Sequence, residues 1–292
     1  MVCNLCPRKC GVNRNLKQGF CGANNTIKVS KVMLHTWEEP IISGEDGSGA
    51  IFFSNCSLKC IYCQNYQISS EGNGKEVSVQ NLAEIFKKLE SFGATNINLV
   101  SPTHYTNEII EALNIYKPKI PIVWNTSGYE TVENIKKLKN YVDIYLTDFK
   151  YYSSEISKEL SKAENYFECC SEAIKQMRKN QPCDIIKNGL MKKGLIIRHL
   201  VLPNLQEDSK KVLNYIASNF GNKTYISIMS QYVPCYKALT HKYINRKLKK
   251  LEYRIVLKEI EKLGFTNGFI QDFESADSCY TPNFLGESEI DF

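Results

Sequence analysis

From residue 49 onward, short apolar runs alternate with longer segments in which apolar residues recur every three or four positions. The apolar runs predict strands at residues 49–54, 95–101, 121–125, 142–150, 194–203 and 224–230. The amphipathic segments predict helices at residues 78–93, 106–117, 130–140, 206–221 and 246–265, with one or two more over 153–180. The first of these helices carries four apolar residues on one face, Leu82, Ile85, Phe86 and Leu89.

This order of elements predicts an α/β fold. Strands that alternate with amphipathic helices form a parallel sheet with right-handed crossovers. About six strand–helix units are present, fewer than the eight of a closed barrel, so we expect a partial (β/α)6 TIM-type barrel over residues 41–292, with a C-terminal helix and tail. A flat doubly wound sheet is the alternative, but no predicted strand is followed by Gly-x-Gly-x-x-Gly. Residues 1–40 are expected to form a small Cys-rich metal-binding extension.

Polar residues follow each predicted strand. They are Asn55 and Cys56, Ser101 to His104, Asn125 to Gly128, Asp148 and Lys150, Arg198 and His199, and Ser230 and Gln231. Because the carboxyl ends of parallel strands build the active site in such folds, we expect one site at this end of the sheet.

Three cysteines lie within eight positions directly after the first predicted strand. Cys56, Cys60 and Cys63 form Cys-x3-Cys-x2-Cys, which is one thiolate short of a closed tetrahedral site. Thiolates select zinc, copper(I) or iron–sulfur clusters, and three of them on a four-iron cluster leave one iron open for a small molecule. Tyr62, beside the last cysteine, is placed to pack against a purine ring of that molecule.

The segment CSLKCIYC resembles the Cys-x3-Cys-x-aromatic-Cys signature of radical S-adenosylmethionine (radical SAM) enzymes. Further stretches, among them CNLCPRKCGVNR, PIVWNTSGYE, VDIYLTDFKYY and RHLVLPN, resemble the PflX-type branch, named for its similarity to the pyruvate formate-lyase activating enzyme. The resemblance implies that the three cysteines hold a [4Fe-4S] cluster and that S-adenosylmethionine (SAM) chelates its fourth iron. It also implies an electron donor such as flavodoxin or ferredoxin, and a 5′-deoxyadenosyl radical that takes hydrogen from a substrate.

The chain departs from the family pattern after its second predicted strand. Many members carry Gly-Gly-Glu there to hold the SAM amino group, whereas this chain has Ser101, Pro102 and Thr103. Ser101 and Thr103 are therefore the candidates for that contact. Candidates for the ribose and methionine groups follow the third predicted strand: Asn125, Thr126 and Ser127.

Four charged or titratable residues are the candidates for catalysis. Asp148 and Lys150, two apart at a strand end, resemble the Asp-x-Lys of the activating enzymes, although a surface ion pair would give the same pattern. Arg198 can pair with a carboxylate of SAM or substrate, and His199 then points to the opposite side of the strand. His104 is either a proton donor or a cap of the next helix.

A second cysteine set lies at the N-terminus. Cys3, Cys6, Cys10 and Cys21 provide four thiolates, enough for a closed site, and both zinc and an auxiliary iron–sulfur cluster fit. Reduced cysteines in a loose arm are the alternative. The other five cysteines carry no spacing signal: Cys169, Cys170, Cys183, Cys235 and Cys279.

Composition and charge bear on whether the protein binds nucleic acid or a membrane. The chain has 292 residues, 43% hydrophobic and 23% charged, with a net charge of +6 spread among mixed charges rather than gathered in a basic patch. We therefore expect no nucleic-acid partner. No run of about 18 apolar residues is present and the N-terminus does not read as a signal peptide, so we expect no membrane association and a cytoplasmic location.

Three functions compete. The first is a radical SAM enzyme that acts on a small-molecule substrate, with the N-terminal segment and the tail after Gln271 covering the barrel mouth. The second is an activase that installs a glycyl radical on a partner protein. The third is a metal-binding scaffold without catalysis. The sequence does not name the substrate, the oligomeric state or whether SAM is consumed.

Overall fold

The computed structural model describes residues 2–275, 282–284, 286 and 288–292. Its strands are β1 (Ile27–His35), β2 (Ser48–Phe53), β3 (Lys75–Val77), β4 (Ile97–Val100), β5 (Ile122–Thr126), β6 (Ile144–Asp148), β7 (Ile185–Lys187), β8 (Leu190–Leu200), β9 (Tyr225–Met229) and β10 (Gly268–Ile270). Its α-helices are α1 (Pro40–Ser43), α2 (Tyr66–Ser69), α3 (Val79–Ser91), α4 (Thr106–Ile115), α5 (Val132–Lys137), α6 (Ser154–Ser161), α7 (Tyr166–Asn180), α8 (Gln206–Phe220) and α9 (Lys250–Leu263). Cys279 lies outside the described residues.

The strands form one sheet in the order β10-β9-β8-β6-β5-β4-β2-β1-β3, with β7 paired to β8. The run from β2 to β10 is parallel, whereas β1 and β3 are antiparallel. Helices connect the parallel strands, as crossovers require. The predicted α/β partial barrel is therefore confirmed, and the residues predicted as 153–180 form two helices, α6 and α7.

The sequence analysis did not predict β1. This strand pairs with β2 from Val29 to His35, so part of the predicted extension 1–40 belongs to the main sheet. Ahead of it, described residues 2–26 contain no helix or named strand, only an isolated bridge between Val2 and Asn13.

Side chains alternate between two layers along each strand. In β5, Ile122 and Trp124 pack in the large core between sheet and helices. Val123 belongs to a smaller apolar cluster on the other face of the sheet, with Ile144, Leu146, Ile196, Met191 and Ile42. The next inward position on β5 is Asn125, so the inner face changes from apolar to polar toward the carboxyl ends of the strands.

The predicted apolar face of α3 is fully buried. Ser78 caps this helix by accepting a hydrogen bond from Asn81 N–H at 3.0 Å. No helix among the described residues has the length and apolar character needed to cross a membrane.

Gly128 fixes the turn after β5 against the end of β6, and we predict that Gly128→Ala destabilises the fold. Gly128 has φ +77°, and an added Cβ would collide with the Asp148 carbonyl oxygen and with Cys170 Sγ. Left-handed strain of about 1 kcal/mol would add to about 1–3 kcal/mol of overpacking. Urea denaturation measures the decrease in the free energy of unfolding.

The control is Gly93→Ala. Gly93 has φ +85° but nothing within 4 Å of an added Cβ, so this variant carries the strain without the collision. Equal losses in the two variants would contradict the tight approach at Gly128.

Candidate active site

The loop between β2 and α2 carries three cysteines at the polar end of the sheet. Cys60 is buried, and Cys56 and Cys63 are half-buried. The loop begins at Asn55, whose φ of +77° turns the chain away from β2. The backbone N–H of Asn55 then stabilises the turn by donating a hydrogen bond to the Ile68 carbonyl at 2.8 Å.

Each sulfur of this loop accepts a hydrogen bond. Leu58 N–H donates to Cys56 Sγ at 3.4 Å, Ser161 Oγ to Cys60 Sγ at 2.9 Å, and Ser69 Oγ to Cys63 Sγ at 3.3 Å. Donors aimed at sulfur stabilise thiolates and tune the potential of iron–sulfur clusters. Three soft ligands with their own donors fit a [4Fe-4S] cluster.

A chain of hydroxyl groups continues from Cys60 into the protein. Ser161 Oγ lies 2.7 Å from the Tyr151 hydroxyl, and the Tyr151 hydroxyl lies 2.5 Å from that of Tyr62. Tyr62 is buried, and its ring also packs edge-on against Tyr232. In the structure Tyr62 is thus packed in the interior and hydrogen-bonded to Tyr151. Its predicted contact with a purine ring stays a prediction.

Burial opposes charge on these thiols. Desolvation raises the pKa of Cys60, and it raises the pKa of Cys63 to about 12. A metal held by these cysteines would supply positive charge that favours their thiolate forms.

Arg198 stands at the centre of a charged cluster inside the barrel. Its guanidinium donates to Asp148 Oδ1 at 3.0 Å, to Glu38 Oε2 at 3.1 Å and to Asn125 Oδ1 at 2.6 Å. Lys150 Nζ binds the other oxygen of Asp148 at 2.6 Å. The register Asp148↔Arg198 between β6 and β8 brings the two side chains together.

The charges in this cluster stabilise one another. Burial alone would raise the pKa of Asp148, but Lys150 and Arg198 outweigh it and hold that pKa below its usual value. Burial likewise opposes the charge on Lys150, and the Asp148 carboxylate overrides it and raises the pKa of Lys150. The pair is therefore an internal ion pair with Arg198 as a third member, and the surface-pair interpretation does not hold, since both side chains are at most 17% exposed.

A cavity of about 220 Å³ adjoins this cluster. Its wall contains Asn125, Arg198, Glu38 and Glu39, together with Gln64 and Asn65, which directly follow Cys63. Apolar side chains, among them Phe52, Val100, Met229 and Phe269, complete the lining. The cavity therefore connects the polar interior of the barrel to the end of the cysteine loop.

Glu38 and Glu39 were missed by the sequence analysis. Glu38 accepts hydrogen bonds from Asn98 at 2.9 Å and from Asn125 at 3.1 Å, in addition to its pair with Arg198. Glu39 is buried, and its Oε2 has no hydrogen-bond partner among the residues that the structure describes. Burial raises the pKa of Glu39, and Arg198 opposes the shift. The available signal was two adjacent acidic residues directly before Pro40, at the start of a helix.

Two predicted cofactor contacts, Thr103 and Thr126, face the helix layer. Both hydroxyls donate to Glu130 Oε1, at 2.7 Å and 2.8 Å, and Trp124 Nε1 donates to the same oxygen at 3.0 Å. Glu130 is 1% exposed, and burial raises its pKa. Neither threonine lines the central cavity.

The other predicted cofactor contacts divide between the two faces. Asn125 lies in the central cavity. Ser101 follows β4 with φ +57° and donates its N–H to the Asn125 carbonyl at 2.9 Å. Ser127 offers its carbonyl to the Tyr166 hydroxyl at 2.8 Å. Direct contacts of Ser101, Asn125 and Ser127 with SAM stay predictions.

The two histidines at strand ends are both buried. His199 points to the helix layer as predicted, bonded to the Phe149 carbonyl at 2.7 Å and to Ser209 Oγ at 2.8 Å. His104 Nε2 lies 2.7 Å from the Ser54 carbonyl, and burial lowers the pKa of His104 to about 4. His104 lines a small cavity with the N-terminal cysteines and not the central cavity. Its catalytic role therefore stays a prediction without support from its position.

Neither cysteine set is closed around a single ion. Among the residues that the structure describes, no three His, Cys, Asp or Glu side chains are placed to share one metal ion.

Comparison with known proteins decides the family. The model of the radical SAM superfamily matches residues 50–216, which include the cysteine loop, Asp148 and Arg198. The chain belongs to the radical SAM superfamily. Membership implies a [4Fe-4S] cluster, bound SAM and radical chemistry that begins with SAM cleavage.

The chain is similar to several individual proteins. The chain is 36% identical over 273 residues to uncharacterized protein MJ0674 of Methanocaldococcus jannaschii, covering 89% of this chain and 74% of the relative. It is 25% identical over 190 residues to the pyruvate formate-lyase-activating enzyme of Clostridium pasteurianum, covering 61% of this chain and 72% of that enzyme. Methylornithine synthase is a similar solved structure, with TM-score 0.49, 14% identity and coverage of 74% of this chain and 68% of the other.

Removal of Arg198 should destabilise this radical SAM protein. Arg198→Ala leaves Glu38 and Asp148 buried with one cation fewer, and breaking such a buried network costs about 3–5 kcal/mol. Anaerobic urea denaturation measures the change. Lys175→Ala removes an exposed ion pair with Glu172 and should change the unfolding free energy little. Similar small effects of both substitutions would contradict the buried network.

His104 should make stability fall in acid. Its folded pKa of about 4 lies below the ordinary 6.5, so the unfolded chain takes up the proton first as pH falls. The contribution is fully present above pH 6.5 and lost between pH 6.5 and 4, by about 3 kcal/mol. Unfolding free energies of the native chain and of His104→Gln across this range test it, and the variant should show the flatter slope. Parallel slopes would rule out a buried, neutral His104.

Proposed function

We propose that this protein is a radical SAM enzyme that acts on a small polar molecule bound in the central cavity. The observation that carries the proposal is that the described C-terminal residues form part of the wall of that cavity and pack beside it. Pro282 lines the cavity, and Phe284 is buried against Phe52, with ring centroids 5.3 Å apart. A cavity of about 220 Å³ suits a small substrate better than an extended protein loop.

Further contacts hold the described C-terminal residues on the sheet. Lys31 Nζ donates to the Asn283 carbonyl at 2.9 Å, and Ile290 N–H lies 3.4 Å from the Val32 carbonyl. Both contacts are to β1, the antiparallel strand beside β2. The segment is thereby held beside the cavity.

The cavity wall supports a polar substrate. Glu38 and Asp148 balance the charges of Arg198 and Lys150, whereas Glu39 adds a further carboxyl group with an unpartnered oxygen. A buried polar atom without a partner is costly, and a ligand that forms a hydrogen bond with it would remove that cost. Arg198 already has three partners, so it orients the wall rather than offering free donors.

The roles of the other residues follow from their positions. When bound, the cluster supplies the electron that cleaves SAM. Cys56, Cys60 and Cys63 hold the cluster, Ser161 and Ser69 direct hydroxyl groups at its sulfur ligands, and the apolar lining excludes water. Asn125 and Ser101, at neighbouring strand ends, are the proposed contacts for SAM.

An activase that acts on a glycyl-radical protein is the second candidate. It is supported by the similarity to the activating enzyme of Clostridium pasteurianum. That function requires a protein loop to reach the cysteine loop past Pro282. A scaffold without catalysis would leave the buried charges at the strand ends without a use.

The loaded protein should cleave SAM. Under anaerobic conditions with a strong reductant, the native chain is expected to release 5′-deoxyadenosine. Cys60→Ala should lower the rate at least about 100-fold, because the cluster loses a ligand. Cys183→Ala, which changes an exposed cysteine, is the control and should keep the native rate. Absence of cleavage by a fully loaded native chain would reject both enzymatic functions.

Deuterium transfer separates the two candidates. A perdeuterated extract of small metabolites should transfer deuterium into 5′-deoxyadenosine, whereas a glycyl-radical protein labelled at glycine should not. Glu39→Gln should reduce the transfer from small molecules several-fold while SAM binding stays unchanged. Label that arrives only from protein glycine would support the activase instead.

A further inference from the structure

The four N-terminal thiols lie around one small cavity. Cys3, Cys6, Cys10 and Cys21 all line it, and the remaining wall includes Leu5, Val12 and Ala23. Its free volume is about 10 Å³, room for about one water-sized group.

Backbone groups point at these sulfurs as they do in the cluster loop. Phe20 N–H donates to Cys10 Sγ at 3.3 Å and Ala23 N–H to Cys21 Sγ at 3.4 Å. The second contact has the same two-residue spacing as that from Leu58 to Cys56. Gly19 permits a close approach, since an added Cβ would lie 3.1 Å from Cys10 Sγ.

The N-terminal segment has little else to hold it together. Residues 2–26 form no helix or named strand, and the large apolar side chains of Val2 and Leu16 are 59% and 84% exposed. A segment with so small a core needs cross-links or a metal to keep one conformation. No cysteine among the described residues is in a disulfide.

Arg8 connects this segment to the predicted cluster ligands. Its Nε donates to the Ser57 carbonyl at 2.9 Å, between Cys56 and Cys60, and its Nη2 donates to the Ser161 carbonyl at 3.0 Å. A third donor reaches the Lys162 carbonyl at the end of α6. The side chain of Ser161 is the one that donates to Cys60 Sγ.

Aromatic rings fix the Arg8 side chain. The guanidinium carbon lies 3.9 Å from the ring centroid of Phe20, next to Cys21, and 5.2 Å from that of Tyr129. Arginine suits this role because its planar group can stack and donate several hydrogen bonds at once. Arg8 thus links the backbone between Cys6 and Cys10 to two groups near Cys60. One is the Ser57 carbonyl in the same loop, and the other is Ser161, which donates to Cys60 Sγ.

We propose that Cys3, Cys6, Cys10 and Cys21 bind a thiolate-ligated metal centre, which holds Arg8 against the loop that carries the catalytic cluster. The centre is structural, and Arg8 is a positioning residue. The shared chemistry is a closed set of four thiolates, and zinc and an iron–sulfur cluster are its two sources.

Metal analysis of a chain without the catalytic cluster tests the site. Cys56, Cys60 and Cys63 are replaced together by Ala, and the full-length variant is purified anaerobically and exposed to Zn²⁺ or to iron with sulfide. About one zinc per chain identifies the zinc form, and about four irons with about four sulfides identify the cluster form. Either result supports the proposal. A variant that binds neither zinc nor an iron–sulfur cluster would overturn it.

Further substitutions locate the metal. Cys6→Ser and Cys21→Ser, each added to that variant, should abolish binding, whereas Cys183→Ser should not. Co²⁺ alone provides an optical probe, since thiolate ligation of Co²⁺ gives charge-transfer absorption that Cys6→Ser should remove. Far-UV circular dichroism confirms that each variant keeps the barrel. Unchanged binding in the Cys6 and Cys21 variants would overturn the assignment.

The positioning role of Arg8 is tested separately, in the protein that retains all of its cysteines. Arg8→Gln should retain the N-terminal metal, yet shift the midpoint potential of the catalytic cluster and raise its rate of iron loss to a chelator at least about threefold. Arg178→Gln, which removes an arginine paired with Asp184, should leave both values unchanged. An unaltered potential and rate in Arg8→Gln would overturn the role of Arg8. None of these measurements depends on the proposed substrate.

Discussion

The shared guanidinium of Arg198 is the interaction on which the interior of this barrel depends. Arg198 lies on β8, and two carboxylates, one amide and one lysine meet around it. Asn125 comes from β5, Asp148 and Lys150 from the end of β6 and the residues after it, and Glu38 from the connection after β1. Any one of these charges would be costly to bury alone, but together they compensate one another. The network therefore holds the strand ends in register while giving the cavity a polar wall.

The cysteine loop depends on a different kind of contact. Its sulfurs are buried or half-buried, which disfavours thiolates, and each receives one hydrogen-bond donor. Ser161 connects the loop to α6, and Tyr151 extends the connection to Tyr62. The surroundings of the cluster are thus built from α6 and α2 as well as from the loop that carries the ligands.

The family match and the cavity occupy different parts of the chain. The superfamily model covers residues 50–216, whereas Glu38, Glu39, Ser227 and Pro282, which all line the cavity, lie outside it. The shared chemistry belongs to the matched region. The cavity wall is therefore shared between the matched region, which supplies Asn125 and Arg198, and the flanking segments.

Local pattern was sufficient for six parallel strands, for the longer helices and for the cysteine loop, because periodicity and ligand spacing are properties of neighbouring residues. It missed the three-residue parallel strand β10 and the short helices α1 and α2. The same reasoning placed Asp148 and Arg198 at strand ends and turned His199 away. It did not separate Asn125, which faces the cavity, from Thr126, which faces Glu130, because the alternation of one strand fixes two faces without saying which is inside. Glu38, Glu39 and Arg8 acquire their partners across as many as 160 residues of sequence. Only the tertiary structure could decide those contacts, since they arise from crossovers that bring distant strand ends together. The sequence alone determined the family and the fold, because both follow from local periodicity and ligand spacing; the folded chain decided which residues line the central cavity, because their contacts join distant segments.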